Sequence, residues 1–145
     1  IIVERDAKNV PASAADLAKP EYRKLALAEP ATVPAGIYAR EYLEKLKLWD
    51  VLKDKIVPAE NVRAALAAVE TGHAEAGFVY KTDALISKKI KIAVEIPTAD
   101  SPNISYPIAI LKSTAHPAEA KKLEDYLAGP AARAVFQKFG FATEK

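Results

Sequence analysis

The stretch TVPAGIYAREYLEKLKLWD (Thr32–Asp50) is predicted to be an amphipathic helix that follows a buried strand. Pro34 presets the dihedral angle of a first helical turn, and apolar residues recur after it at helical spacing. Acidic residues usually occupy such a turn, because free N–H groups and the helix dipole make that end positive. Here Ala35 and Gly36 follow Pro34, and the next charged residue is Arg40. The sequence therefore predicts a helix with a bare positive N-terminus.

Strand and helix patterns alternate on both sides of this stretch. The predicted strands are 1–4, 24–30, 74–80, 89–96 and 105–112. Besides the helix after Pro34, the predicted helical segments are one that starts at Ser13 and breaks at Pro20, 58–72, a short turn at 81–87, 117–128 and 130–139. Alternating strands and helices indicate an α/β fold, a mostly parallel sheet flanked by helices. No strand follows the last two helices, so we expect them to cover a different surface.

Composition narrows the class of protein. The 145 residues correspond to one ordinary domain, and 28% charged with 50% hydrophobic residues is typical of a soluble globular chain. A formal net charge of +2 with scattered Lys and Arg argues against a nucleic-acid partner. The absence of Cys excludes thiol catalysis, disulfides and cysteine zinc sites. No apolar run approaches the roughly 18 residues of a membrane span, and no signal-peptide pattern is present in these residues.

Patterns that would indicate catalysis are weak. His73 and His116 are predicted to lie in exposed loops, without a neighbouring Ser, Cys or carboxylate pattern of a triad or metal site. Glu41 and Glu44 share a helix face with Lys and Arg, which is the usual pattern of a solvated helix. Glycine-rich phosphate-binding signatures are absent. The sequence therefore predicts that the protein is not an enzyme.

Anion binding has better support. Two predicted helices begin on small or apolar residues after a strand-to-loop passage, at Val33–Gly36 and Glu60–Arg63. Ligands of open α/β sheets bind outside the carboxyl ends of the strands, where helix N-termini present free N–H donors. The candidate donors are the backbone N–H groups of Ala35 and Val62. The hydroxyl of Tyr80, at the end of another predicted strand, is a third.

Each of these signals also has a purely structural explanation. Pro34 and the small residues after it could form only a good helix start, and Asn61 could be an ordinary N-cap. Glu60 would repel an anion if it pointed inward. Tyr80 could pack in the core. The residues alone thus indicate an oxyanion binder without excluding these alternatives.

Four segments of the sequence resemble the periplasmic molybdate-binding proteins of bacterial ABC importers. They are VPAGIYAREYLEKLKLWDVL, PAENVRAALAAVETGHAEAGFVYKTDA, YPIAILK and GPAARAVFQKFGF, and the likeness extends from about Leu25 to Phe141. The resemblance implies a two-lobed, type II periplasmic-binding-protein (venus-flytrap) fold. It implies no enzyme activity and no cofactor, but a molybdate or tungstate oxyanion held in the cleft without countercharges. The family's second-lobe contacts correspond to the N–H groups of Ala35 and Val62 and the hydroxyl of Tyr80.

The family's other ligand contacts are two serines of the first lobe, and nothing before Ile1 corresponds to them. We therefore expect a fragment or a processed product, unless the boundary was introduced in cloning. Residues 1–112 would form the second lobe, and 113–145 would be C-terminal helices that pack back towards the missing first lobe. Three charge-assisted hydrogen bonds of about 1.5–3 kcal/mol each must offset an association cost of about 4–15 kcal/mol. The half-site alone should bind no more tightly than about millimolar.

The resemblance implies capture rather than reaction. The oxyanion would be bound in the periplasm, or by a cell-surface-anchored protein, and delivered to the membrane permease of the importer. One alternative is the ligand-sensing module of a transcription regulator, which predicts a DNA-binding helix pair upstream. Another is an inactive truncated lobe that self-associates through apolar surface exposed where the first lobe should pack.

Overall fold

A computed structural model describes residues 1–143 and divides the chain into two compact units, Ile1–Asn103 and a second that begins at Ile104. The first unit contains five strands and four α-helices. The strands are β1 (Ile2–Glu4), β2 (Leu25–Ala28), β3 (Ile56–Ala59), β4 (Ala76–Gly77) and β5 (Ile90–Ile92). The helices are α1 (Pro34–Lys45), α2 (Trp49–Leu52), α3 (Val62–Glu70) and α4 (Lys81–Ile86), with 3₁₀ turns at Ala14–Ala18 and Lys53–Lys55. The second unit contains α5 (Pro117–Ala128) and α6 (Pro130–Lys138).

The strands form one sheet in the order β3-β2-β4-β1-β5. Strand β2 pairs in parallel with β3 and β4, whereas β1 pairs antiparallel with β4 and β5. Four strands therefore run in one direction and β1 alone runs against them. The predicted α/β class with a mostly parallel, helix-flanked sheet is confirmed. The reversed direction of β1 is not encoded in its apolar pattern.

Side chains from the two faces of the sheet enter separate apolar clusters. Leu25 and Leu27 of β2 pack on one side with residues of α1 and α2, including Leu43 and Leu52. Ala26, between them, packs on the other side in the cluster that contains Val69 and other residues of α3 and α4. This alternation is the two-residue period of a strand, and all four residues of β2 are buried. The sheet is thus the middle layer between two helical layers, and β2 contributes side chains to the apolar clusters on both of its faces.

Strand β3 was not predicted, and it corrects the start of the predicted helix 58–72. Residues 56–59 form this strand, and the helix begins only at Val62. Pro58 pairs opposite Leu27 in the parallel ladder. Proline is tolerated there because β3 is the edge of the sheet and has a neighbour on one side only. The predicted stop of this helix at Gly72 is confirmed, since Gly72 directly follows the C-cap residue Thr71 and has a positive φ of 71°.

The predicted strand 105–112 is wrong, since none of these residues forms a strand. Its sequence has the apolar character of a strand, but a strand also requires a second strand to pair with it. The described residues supply no such partner. Tyr106, Ile108 and Leu111 are exposed.

The two C-terminal helices lie close to their predicted limits, and Gly140, with a positive φ of 89°, follows the end of α6. Within this unit Phe141 contacts Tyr106 and Phe136 edge-on, at centroid distances of 6.0 and 6.1 Å. Helix α5 nevertheless has no buried residue. In the part of the chain that the structure describes, no helix has the length and apolarity to cross a membrane.

Candidate functional site

The carboxyl ends of three neighbouring parallel strands lie at one edge of the sheet, and a helix begins after each of them. Helix α1 follows β2, α3 follows β3, and α4 follows β4. Ala35 lies in the first turn of α1, Val62 is the first residue of α3, and Tyr80 is the N-cap of α4. All three predicted binding residues therefore follow strand ends at the same edge, which we call the carboxyl edge.

Helix α1 approaches the end of β2 very closely. A Cβ atom added to Gly36 would lie 2.1 Å from the carbonyl oxygen of Ala28 and 2.6 Å from that of Glu29. Only glycine fits such an approach to backbone atoms. The Glu29 N–H donates to the carbonyl of Ala59 at 2.8 Å, which joins the ends of β2 and β3. Gly36 therefore seats the α1 N-terminus directly on the carboxyl edge, a packing role that the sequence analysis did not assign to it.

Two backbone N–H groups at this edge have no acceptor among the described residues. Within residues 1–143, no group accepts a hydrogen bond from the backbone N–H of Ala35 or of Val62. The first turns of α1 and α3 contain no acidic residue. Asn61 is indeed the N-cap of α3, but its Oδ1 accepts from the N–H of Ala64 at 3.0 Å and leaves that of Val62 unused. Both helix ends thus present donors of the kind that bind anions.

Tyr80 is held at the edge by the start of α4. Its carbonyl oxygen accepts from the N–H groups of Asp83 and Ala84, each at 3.1 Å. Its side chain is half-buried rather than part of the buried core. The start of α4 therefore fixes the backbone of Tyr80 after the end of β4, the strand that pairs with β2 and so lies beside the strand that leads to Ala35.

Charged side chains near the edge occur in opposite-sign combinations. Lys81 Nζ lies 2.5 Å from Glu95 Oε1. Burial raises the pKa of the Asp83 carboxyl, and the positive charge of Arg63 partly opposes this rise in the pKa. Glu60, which could have repelled an anion, is exposed to solvent. The free N–H groups at the starts of α1 and α3 therefore lie at an edge that carries formal charges of both signs.

The described residues do not assemble the other kinds of site, metal-binding or catalytic, that were considered from the sequence. Among residues 1–143, no group of three or more His, Asp or Glu side chains is placed to hold a metal ion. His73 and His116 are exposed, as predicted, and His73 Nδ1 lies 2.7 Å from the hydroxyl of Thr71. A cavity of about 210 Å³ lies at the opposite, amino edge of the sheet, lined by residues that include Glu4, Tyr22 and Glu75. It contains none of the predicted binding residues.

Comparison with known proteins gives the family. The family model described as "Bacterial extracellular solute-binding protein" matches residues 1–142. YvgL of Bacillus subtilis, provisionally named an ABC transporter substrate-binding lipoprotein, is 46% identical over 99% of this chain and 55% of its own length. The molybdate-binding protein ModA of Escherichia coli is 44% identical over 81% of this chain and 46% of its own length.

A solved structure agrees with these relatives. The Clostridium difficile chain, provisionally named the substrate binding domain of a molybdenum ABC transporter, superposes with a TM-score of 0.89 at 35% identity. The match covers 99% of this chain and 62% of that one. The present chain thus spans about half the length of the curated relatives cited above. It belongs to the family of bacterial extracellular solute-binding proteins.

Proposed function

We propose that this chain is the second lobe of a molybdate-binding protein of an ABC importer and supplies half of its oxyanion site. One observation carries the proposal most directly. Ala35, Val62 and Tyr80 follow the carboxyl ends of three adjacent parallel strands, and the first two have N–H groups without an acceptor in residues 1–143. Relatives named molybdate-binding proteins share 44% and 39% identity with the chain.

The proposed chemistry is capture by neutral donors. Two backbone N–H groups and one phenol O–H replace part of the water shell of a tetrahedral dianion, and the helix dipoles favour its charge. Fixed donors select by size, because a smaller sulfate would leave some hydrogen bonds stretched. Tungstate is also tetrahedral and should bind at the same donors. Release requires no buried salt bridge to break, since no countercharge is used.

The other half of the site would come from a first lobe. We assign residues 1–112 to the second lobe and 113–145 to helices that pack towards the first. The exposed apolar residues of α5 and α6, Leu123, Tyr126 and Val135, support this assignment, because they need a covering surface. The whole protein would act outside the cytoplasmic membrane, in the periplasm or anchored at the cell surface, and would dock on a membrane permease. The extracellular family and the lipoprotein relative support that location.

Val62 allows a test that removes one donor and little else. It is the first residue of α3, and the residue before it, Asn61, has an extended backbone with φ −157° and ψ 174°. Proline is favoured at the first helical position and requires such an extended predecessor. Val62→Pro therefore deletes the free N–H without deleting a helix hydrogen bond. Val62→Ala, which keeps the N–H, is the matched control.

The measurement is an amide-resolved NMR titration of the 145-residue chain with molybdate, and with sulfate at equal ionic strength. The amides of Ala35 and Val62 should shift with molybdate at millimolar concentration. Val62→Pro and Tyr80→Phe should each weaken the response about tenfold, the loss of one charge-assisted hydrogen bond. Val62→Ala and Tyr126→Phe should leave it unchanged. Shifts that are absent, or spread evenly over the surface, would overturn the proposal.

A further inference from the structure

We propose that Glu95 limits the electrostatic attraction of this site for anions: its ion pair with Lys81 neutralises an ammonium group at the carboxyl edge, so that neutral donors supply most of the binding free energy. The inference rests on the proposed function and adds to it a residue outside the three predicted contacts. It identifies a side chain that limits electrostatic attraction instead of supplying it. Glu95 was not singled out by any sequence pattern.

The position of Glu95 follows from strand direction. Strands β4 and β5 both pair antiparallel with β1, so they run in the same direction. Glu95 lies shortly after β5 and therefore at the carboxyl edge. The N–H groups of Ala93 and Val94 donate to the carbonyl of Ile1 at 2.9 and 3.2 Å, which fixes the backbone just before Glu95.

Lys81 is one of two cations next in sequence to a predicted contact, the other being Arg63 beside Val62. Lys81 is the first residue of α4 and follows Tyr80 directly. Its Nζ lies 2.5 Å from Glu95 Oε1, and the two side chains are 45% and 59% exposed. A surface ion pair of this kind contributes at most about 1 kcal/mol to stability. Its effect on where the ammonium group lies is therefore more important than its contribution to folding.

An unpaired ammonium group at this edge would act on every dianion. Coulomb attraction depends on charge and distance and has no directional requirement, whereas fixed N–H donors depend on the size and shape of the anion. Lys81 released from Glu95 would thus add the same attraction to molybdate and to sulfate. The affinity for both would rise, and a larger part of it would depend on salt.

Glu95→Gln tests this with a change of one charge and almost no change of volume. Glu44→Gln is the control, because it breaks a similar ion pair, in which Arg40 Nε lies 2.7 Å from Glu44 Oε1. Glu44 lies nine residues after Ala35 on α1. That is about 14 Å along the helix, beyond the screening length of about 8 Å at physiological salt. Arg40 also lies over the Trp49 ring, 5.1 Å from its centroid, so this contact still holds the guanidinium group after Glu44 is changed. Both variants change the net charge equally.

The same NMR titration of the full chain, repeated at low and physiological salt, gives the readout. We expect Glu95→Gln to tighten the binding of molybdate and of sulfate alike, about threefold at low salt, with a smaller gain at physiological salt. Glu44→Gln should leave both affinities unchanged at physiological salt, and at low salt, where screening is weaker, it should change them less than Glu95→Gln does. Lys81→Gln should by itself weaken the binding of both anions, because it leaves the Glu95 carboxylate unpaired, and it should abolish the gain when combined with Glu95→Gln.

Three outcomes would overturn the role of Glu95 while the proposed function stands. They are affinities that do not change in Glu95→Gln, an increase in affinity that persists in the Lys81→Gln/Glu95→Gln double variant, and an increase in affinity for molybdate alone. A wild-type chain whose Ala35 and Val62 amides ignore molybdate would instead overturn the proposed function, and this inference with it. The wild-type titration therefore separates the two failures.

Discussion

The two units of the chain differ in what their apolar residues contact. In the first unit, apolar side chains from both faces of the sheet are buried. In the described part of the second unit, Ala132 is the only buried hydrophobic residue. Its exposed large hydrophobic residues are Ile104, Tyr106, Ile108, Leu111, Leu123, Tyr126, Val135, Phe139 and Phe141.

This difference in burial follows from the small size of the second unit. A sheet with helices on both faces encloses its apolar side chains, whereas a helix pair of this length has too little interior to do so. Helix α5 has an apolar stripe but buries no residue. The first unit therefore supplies a packed frame for the carboxyl edge, whereas the described part of the second leaves its large apolar side chains mostly exposed.

The largest expected effect compares equivalent leucines on helices of the two units. Leu43 of α1 is 0% exposed, and Leu123 of α5 is 58% exposed. Leu43→Ala should lower the free energy of unfolding by about 3–4 kcal/mol because it leaves a cavity in the core. Leu123→Ala should lower it by less than about 0.5 kcal/mol. Urea unfolding followed by circular dichroism measures both, and a large cost for Leu123→Ala would show that α5 is packed in solution.

Gly36→Ala should have the next largest effect, about 2–3 kcal/mol, because its Cβ meets backbone oxygen atoms that cannot move independently. Gly129 of the second unit is the comparison. An added Cβ there lies 3.1 Å from the carbonyl oxygen of Tyr126, and its φ of −78° suits any residue. Gly129→Ala should therefore cost less than about 1 kcal/mol. Equal losses in thermal unfolding would contradict the close seating of α1 on the carboxyl edge.

The exposed surface of the second unit should cause self-association of the isolated chain at micromolar concentration. Ile108→Lys should weaken this association about tenfold or more, since it places a charge in the apolar surface. Val51→Lys is a matched control on the first unit, because Val51 and Ile108 are 57% and 58% exposed. Sedimentation velocity distinguishes the variants. A wild-type chain that stays monomeric throughout would contradict this prediction.

The smallest expected effect concerns the pH dependence of stability. Burial raises the pKa of Asp83 in the folded state, so the protonated side chain favours folding. This contribution is present below the unfolded pKa and is lost as the pH rises through the folded one. Asp83→Asn should thus stabilise the protein slightly at neutral pH, less the lost attraction to Arg63, and the difference should vanish in acid. Urea unfolding at several pH values measures this stability difference, and NMR titration of the Asp83 carboxyl measures its pKa. A variant that is more stable than the wild type only at low pH would contradict a raised pKa of Asp83 in the folded state.

The sequence predicted most elements because their signals are local. The bare start of α1, the buried strand β2 and the stop at Gly72 all depend on residues within one turn or one strand. The failures have non-local causes. Ile56–Ala59 became a strand because β2 pairs with it despite Pro58, and residues 105–112 did not because no described strand pairs with them.

The sequence by itself determined the class of fold and the chemical type of the candidate donors. Residue size, charge and spacing already specify a helix end without acidic side chains. Only the tertiary structure decided that Ala35, Val62 and Tyr80 follow neighbouring strand ends, that Gly36 is required by contact, and that Glu95 reaches Lys81. The physical reason is that strand order and direction are set by pairing between distant segments, which local propensity does not encode.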